Sequence, residues 1–213
     1  IINAKDTLMD FSELSHQTEI RDSLDKILSE YCSQERLKKY DADFKHDEDL
    51  LSLLSTNGFL GLGLNEKYGG SGEDLYDLGI LFERLGYHAA PLSLSGCLAD
   101  VAQTIQKFSN EESCNEILSS IIAGEVYTSA ILEPSNQDPE NPITAAEIEN
   151  NQVVITGTKY LSEIASIAKS ILISTNSNEG VLLILVDTDQ LKLTELNSTA
   201  NSPLFKVELD SVK

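Results

Sequence analysis

The chain has 213 residues, of which 41% are hydrophobic and 23% charged, enough to bury the core of one large domain or two small ones. Its 35 Asp and Glu outnumber 15 Lys and Arg, giving a formal net charge of −20 spread along the whole length. Such a charge repels a phosphate backbone and an anionic bilayer surface, which argues against nucleic acid and an anionic membrane as partners.

The first segment, Ile1 to Leu8, has no basic region leading into an apolar stretch, so it is not read as a signal peptide. Ser15 is the expected N-cap of a helix reaching about Cys32, with Ile20, Leu24, Ile27, Leu28 and Tyr31 at helical spacing. A charged connection is expected from Gln34 to His46. A second helix opens at Asp47 or Asp49, carries Leu50, Leu51, Leu53 and Leu54, and stops at Gly58. Gly58 to Gly72 holds six glycines in fifteen residues, the mark of tight turns. A third helix spans Glu73 to Tyr87, with Leu75, Leu78, Leu81, Phe82 and Leu85 on one face, and Ala89-Ala90-Pro91 breaks it. Two more helices are expected at Leu94–Lys107 and Glu111–Ala123, closed by Gly124.

After Gly124 the periodicity changes. Val126 to Glu133 is β-prone, and Glu147 to Ile155 reads as two strands joined by a turn at Asn150-Asn151. Ala168–Ser174 and Val181–Val186 are short apolar runs, while Leu191–Leu196 and Leu204–Leu209 alternate apolar and polar residues. Pro134 to Pro142 is the stretch closest to a linker. The fold class is therefore α+β: an all-helical domain over residues 1–124, then a mostly antiparallel β-barrel domain over 125–213.

The residues alone say less about chemistry. The Gly58–Gly63 pattern is not a dinucleotide fingerprint, and Lys67-Tyr68-Gly69-Gly70 is not a phosphate loop. Cys32, Cys97 and Cys114 are odd in number and far apart, so no disulfide framework or metal clamp is expected, and the setting is read as reducing and cytoplasmic. His16, His46 and His88 are scattered, which argues against a zinc site. No apolar run is long enough to span a membrane. Glu133, just before Pro134, is either a base or an ordinary surface carboxylate at a strand end.

The order of these features resembles the acyl-CoA dehydrogenase family. The opening run Asp10 to Arg21 is similar to the family's first helix. Leu54 to Gly72 resembles its segment leading into Gly-Gly, and Phe82-Glu83-Arg84-Leu85-Gly86 stands where the family has Glu-x-Leu-Gly. Leu132-Glu133-Pro134 resembles the Thr-Glu-Pro at the flavin-contacting strand exit. Ile155-Thr156-Gly157-Thr158-Lys159 resembles the Asn-Gly-x-Lys strand, and Leu204 to Val212 the last strand before the family's C-terminal helices.

The resemblance implies a cofactor, FAD, and an acyl-CoA thioester as substrate, in a homo- or hetero-oligomer. It also implies that the catalytic base lies in a C-terminal helical bundle outside this sequence, leaving exposed apolar surface where that bundle would dock. It assigns cofactor contact to Ile131, Leu132, Leu161, Ser162 and Glu163, and substrate contact to Gln137 and Asp138. Several positions depart from the family. Leu132 replaces a Thr, Gln137-Asp138-Pro139 replaces Gly-Ser-Asp, and Leu161 stands where a Trp packs on the flavin, with Tyr160 as the aromatic alternative one residue away. Two functions follow as expectations: a FAD-dependent acyl-CoA dehydrogenase or subunit of one, and a non-catalytic structural partner of a catalytic homologue.

Overall fold

The computed structural model describes residues 12–43, 46–72, 74–136, 138–149, 152–199 and 202–213. The expected turn residues Asn150 and Asn151, the start at Glu73 and the first eleven residues lie outside these.

Helices fill the first part. α1 (Ser15–Tyr31) buries Leu24 and Leu28 completely, as the spacing predicts. Its N-cap is Leu14 rather than Ser15, and the Gln17 side chain accepts from the Leu14 N–H at 2.9 Å. α2 (Gln34–Asp43) occupies what reads as a loop in the sequence. Charge hid it: the segment has almost no apolar face, and Arg36 anchors it by two bonds to the buried Asp47, 2.8 and 2.9 Å long. α3 (Glu48–Thr56) starts after Asp47, whose carboxylate accepts from the Leu50 N–H at 3.0 Å. α4 (Leu75–Tyr87) buries Leu78, Leu81 and Leu85, but Leu75, expected on that face, is 61% exposed. The next helix begins as a π-helical segment (Ser95–Ala102) and continues as α5 (Gln103–Phe108); α6 (Glu111–Ile122) follows.

Strands fill the rest: β1 (Tyr127–Ala130), β2 (Ala145–Glu149), β3 (Gln152–Glu163), β4 (Ser170–Ser177), β5 (Gly180–Asp187), β6 (Lys192–Leu196) and β7 (Leu204–Val212). They form one sheet in the order β1-β4-β2-β3-β7-β6, with β5 on β4. β5 pairs the full length of β4 antiparallel, while β1 and β2 run parallel to β4 at its two ends. β2–β3, β3–β7 and β6–β7 are antiparallel. The class is α+β, as expected. The sheet is curled and mixed, and its pairing stops at β6 and β5, so it is a half-barrel.

Two cores result. The first gathers the leucines of α1, α3 and α4 with Cys97, Leu98, Leu118 and Ile121, and extends onto Tyr127, Ile164 and Leu172 of the sheet region. The second lies within the sheet around Ile155, Ile171, Ile173, Phe205, Val207 and Leu209. Cys32, Cys97 and Cys114 are free thiols. Among the described residues, no helix is long and apolar enough to cross a membrane.

Candidate functional site

A cleft of about 210 Å³ opens where the π-helical segment, the exit of β1 and the end of β3 meet. Gly96 sets this approach: a Cβ there would lie 2.7 Å from Thr128 Oγ1, so only a bare backbone can pack on β1. Ser95, Gly96 and Asp100 form one wall, Thr128, Ser129, Ile131 and Leu132 a second, and Tyr160, Leu161 and Glu163 the third.

β3 reaches the cleft through an irregularity. Its register against β7 shifts between Lys159 and Ser162, and Leu161, one of the two residues inside the shift, has φ +59°. A left-handed backbone at a bulky residue costs about 1–2 kcal/mol. The neighbouring Tyr160 N–H donates to the Leu132 carbonyl at 2.8 Å, so the bulge is stitched to the β1 exit. Leu132 and Leu161, in the same cleft lining, are 45% and 47% exposed.

Four of the five residues assigned to the cofactor in the sequence line this cleft: Ile131, Leu132, Leu161 and Glu163. Ser162 does not. Its side chain is buried, and its hydroxyl donates to the Ser129 carbonyl at 2.9 Å. Of the two substrate assignments, Asp138 sits apart in an exposed turn over residues 138–141, where its carboxylate accepts from the Glu140 N–H and the Asn141 amide at 3.0 and 2.8 Å. Gln137 lies outside the described residues.

The cleft is acidic. Asp100 accepts from the Ser129 hydroxyl, and Glu163 accepts from the hydroxyls of Ser93 and Ser95. No Lys or Arg is among its lining residues. Burial pushes the His46 imidazole down to about 4, against the pull of the Glu163 carboxylate. Neither His46 ring nitrogen has a hydrogen-bond partner.

Directly behind the β1 exit lies a buried ion pair that the sequence reading did not anticipate. Glu133 is neither a poised base nor a surface carboxylate. It is 8% exposed and accepts from Lys159 Nζ (2.8 Å), the Ile143 and Thr144 N–H groups (2.7 Å each) and the Asn136 amide (3.0 Å). Burial raises its pKa, but these donors outweigh it and hold the group at about 2. Lys159 is fully buried and also donates to the Ile131 carbonyl (3.3 Å) and Ser174 Oγ (3.1 Å). Burial pulls its ammonium below the ordinary lysine range, with Glu133 opposing. The signal was present in the sequence as an isolated Lys in an apolar strand and a Glu before a proline, yet nothing local paired them.

Two other places stand out. His16, Asp74 and Asp77 bring ligand atoms within 4.8 Å of one another, a cluster the scattered histidines did not suggest. The Gln17 amide already donates to Asp77 (3.1 Å), and two helix N-termini converge there, whose partial positive charge disfavours a cation. An apolar groove of about 470 Å³ runs between α5, α6 and β5, bordered by Phe108, Ile117, Val181 and Leu183.

A helical layer packed on an open, curled, mixed sheet, with a cleft at their seam, defines the class of protein. The profile described as "Acyl-CoA dehydrogenase, N-terminal domain" matches residues 15–125, and the chain belongs to the acyl-CoA dehydrogenase family. It is 26% identical over 182 residues to the Acyl-CoA dehydrogenase FadE12 of Mycobacterium tuberculosis, covering 79% of this chain and 47% of that protein. The chain thus spans about half the length of the curated relatives it matches. It superposes on the ChsE4-ChsE5 complex from Mycobacterium tuberculosis with a TM-score of 0.88 at 20% identity, over 96% of this chain and 56% of that one. It also superposes on a glutaryl-CoA dehydrogenase from Mycobacterium smegmatis in complex with FADH2, with a TM-score of 0.81 at 19% identity, over 94% and 54%.

Proposed function

We propose that this chain supplies the cofactor-facing half of a FAD-dependent acyl-CoA dehydrogenase, or of a subunit of one, working in a reducing, cytoplasmic setting. Residues 1–124 and 125–213 then act as two domains with the cleft at their seam. One observation carries the reading: half-exposed Leu132 and Leu161 share the cleft with Tyr160 on a backbone held in a left-handed turn. A flat ring system laid there removes apolar surface from water. Strained backbone of this kind persists where surrounding structure enforces it, often at binding sites.

FAD, when bound, accepts the hydride of an α,β-dehydrogenation. The chain's own residues would bind and orient it. Leu132, Leu161 and Tyr160 offer the apolar and aromatic wall. The Ile131 and Leu132 carbonyls are engaged by Lys159 and Tyr160, so hydrogen bonding from this turn falls to its N–H groups. The ring fits this lining, whereas the pyrophosphates of FAD and CoA do not, because Asp100 and Glu163 would repel them. Those phosphates belong on groups outside this cleft. Glu133 cannot serve as a base that removes an α-proton, because Lys159 and two backbone amides hold it ionised and buried.

The acidic cleft and the loss of the family's Thr and Trp at Leu132 and Leu161 favour a second reading, a non-catalytic partner of a catalytic homologue. That a protein of the same fold was solved as a complex of two named chains supports an oligomeric role of either kind. The test is purification of the full-length protein with FAD supplied, followed by denaturation. Released flavin and reduction by an acyl-CoA are expected. A colourless protein that co-purifies with a related chain would favour the partner role, and an active, flavin-loaded homo-oligomer would exclude it.

A further inference from the structure

We propose that Lys159 and Glu133 are positioning residues that set the wall of the cleft without touching what binds there. The inference rests on the reading of the cleft as a cofactor site.

The geometry is that of a clamp. Lys159 sits on β3 immediately before the bulge, and its Nζ reaches three groups: the Ile131 carbonyl and the Glu133 carboxylate on the segment leaving β1, and Ser174 on β4. Glu133 in turn receives the N–H groups of Ile143 and Thr144, which lead into β2. One carboxylate therefore pins the two ends of the 134–142 loop together. One ammonium ties that pin to β3 and β4. Between them runs Ile131-Leu132, whose carbonyls are both taken, by Lys159 Nζ and by the Tyr160 N–H.

This arrangement fixes the turn that would otherwise be free to swing. Leu132 and Leu161 face solvent by nearly half. Their separation is set by the hydrogen bond from Tyr160 to Leu132, one residue from Lys159 on one side and one from Glu133 on the other. A buried ion pair is a weak source of net stability, because desolvation offsets the attraction. It is a strong source of geometry, since each partner is directional and fully engaged.

The test uses the full-length protein and two variants. Lys159→Met with Glu133→Gln neutralises the pair at similar size. Leu209→Ala opens the β core away from the cleft and serves as a control for lost stability. Amide hydrogen exchange at Tyr160 and the visible absorption of bound FAD are read on each. The double variant is expected to exchange Tyr160 faster and to bind FAD about tenfold more weakly, with an altered flavin band. Leu209→Ala is expected to melt earlier while keeping the flavin band and affinity. Unchanged Tyr160 exchange in the double variant, or an equal loss of flavin in both, would overturn the clamp. If the wild type binds no flavin, the cofactor reading fails, and the exchange of Tyr160 alone still decides the clamp.

Discussion

Gly70 lies so close to Leu64 that a Cβ at position 70 would stand 2.1 Å from the Leu64 carbonyl oxygen and 2.4 Å from its carbon. The chain folds back on itself here, with the Gly72 N–H donating to the same carbonyl at 2.9 Å and the Ser71 N–H to Gly61 at 3.0 Å. No side-chain rotation relieves a clash with backbone. Gly70→Ala is expected to cost about 3 kcal/mol. Gly79, exposed in α4 with nothing near its missing Cβ, is the contrast: Gly79→Ala is expected to gain about 0.5–1 kcal/mol. Urea midpoints of the two variants check both signs.

Asp47 is fully buried and serves two masters, capping α3 through the Leu50 N–H and pairing with Arg36 of α2. Asp47→Ala removes both roles and should cost about 3 kcal/mol. Asp47→Asn keeps an acceptor for the cap and should cost roughly half of that. Thermal unfolding of the pair separates cap from charge.

Stability should fall with acid over two pH windows. His46 has a folded pKa of about 4 against an ordinary 6.5, because burial favours the neutral ring. The unfolded chain therefore takes up a proton first, and stability falls as pH drops from about 6.5 toward 4. Glu133 has a folded pKa of about 2 against an ordinary 4.5. Its contribution is complete above 4.5 and is lost as pH falls from 4.5 toward 2. Urea midpoints measured against pH should show both windows. His46→Phe should flatten the first slope. Glu133→Gln should reduce the second, to which Asp47 and Asp25, whose burial is outweighed by cationic partners that hold them below the ordinary carboxylate range, contribute the rest.

Leu161 carries backbone strain on an exposed side chain. Leu161→Gly should relieve it and raise stability by about 1 kcal/mol. The same change removes apolar cleft wall, so FAD affinity should fall. A melting curve and a flavin titration on one preparation read both directions at once.

Much of the fold was legible in the sequence because burial there follows period. Leucines every three or four residues up to Ile121 gave five of the helices, and short apolar or alternating runs gave the strands. α2 escaped, since its stability comes from the bond between Arg36 and Asp47 rather than from an apolar face. The cleft was partly legible: the resemblance to a family pointed to Ile131, Leu132, Leu161 and Glu163, which do line one opening. Ser162, assigned with them, follows the bulge and turns its hydroxyl inward to the Ser129 carbonyl.

Local pattern, then, determined which segments apart from α2 coil, which extend, and where one regime yields to the other, because helix and strand periods are written in neighbouring residues. Only the tertiary structure decided that Lys159 meets Glu133, that Gly96 presses on Thr128, and that the sheet stops short of closing. Those are meetings between residues 26 and 32 positions apart or more, and they depend on distances that no run of adjacent side chains encodes.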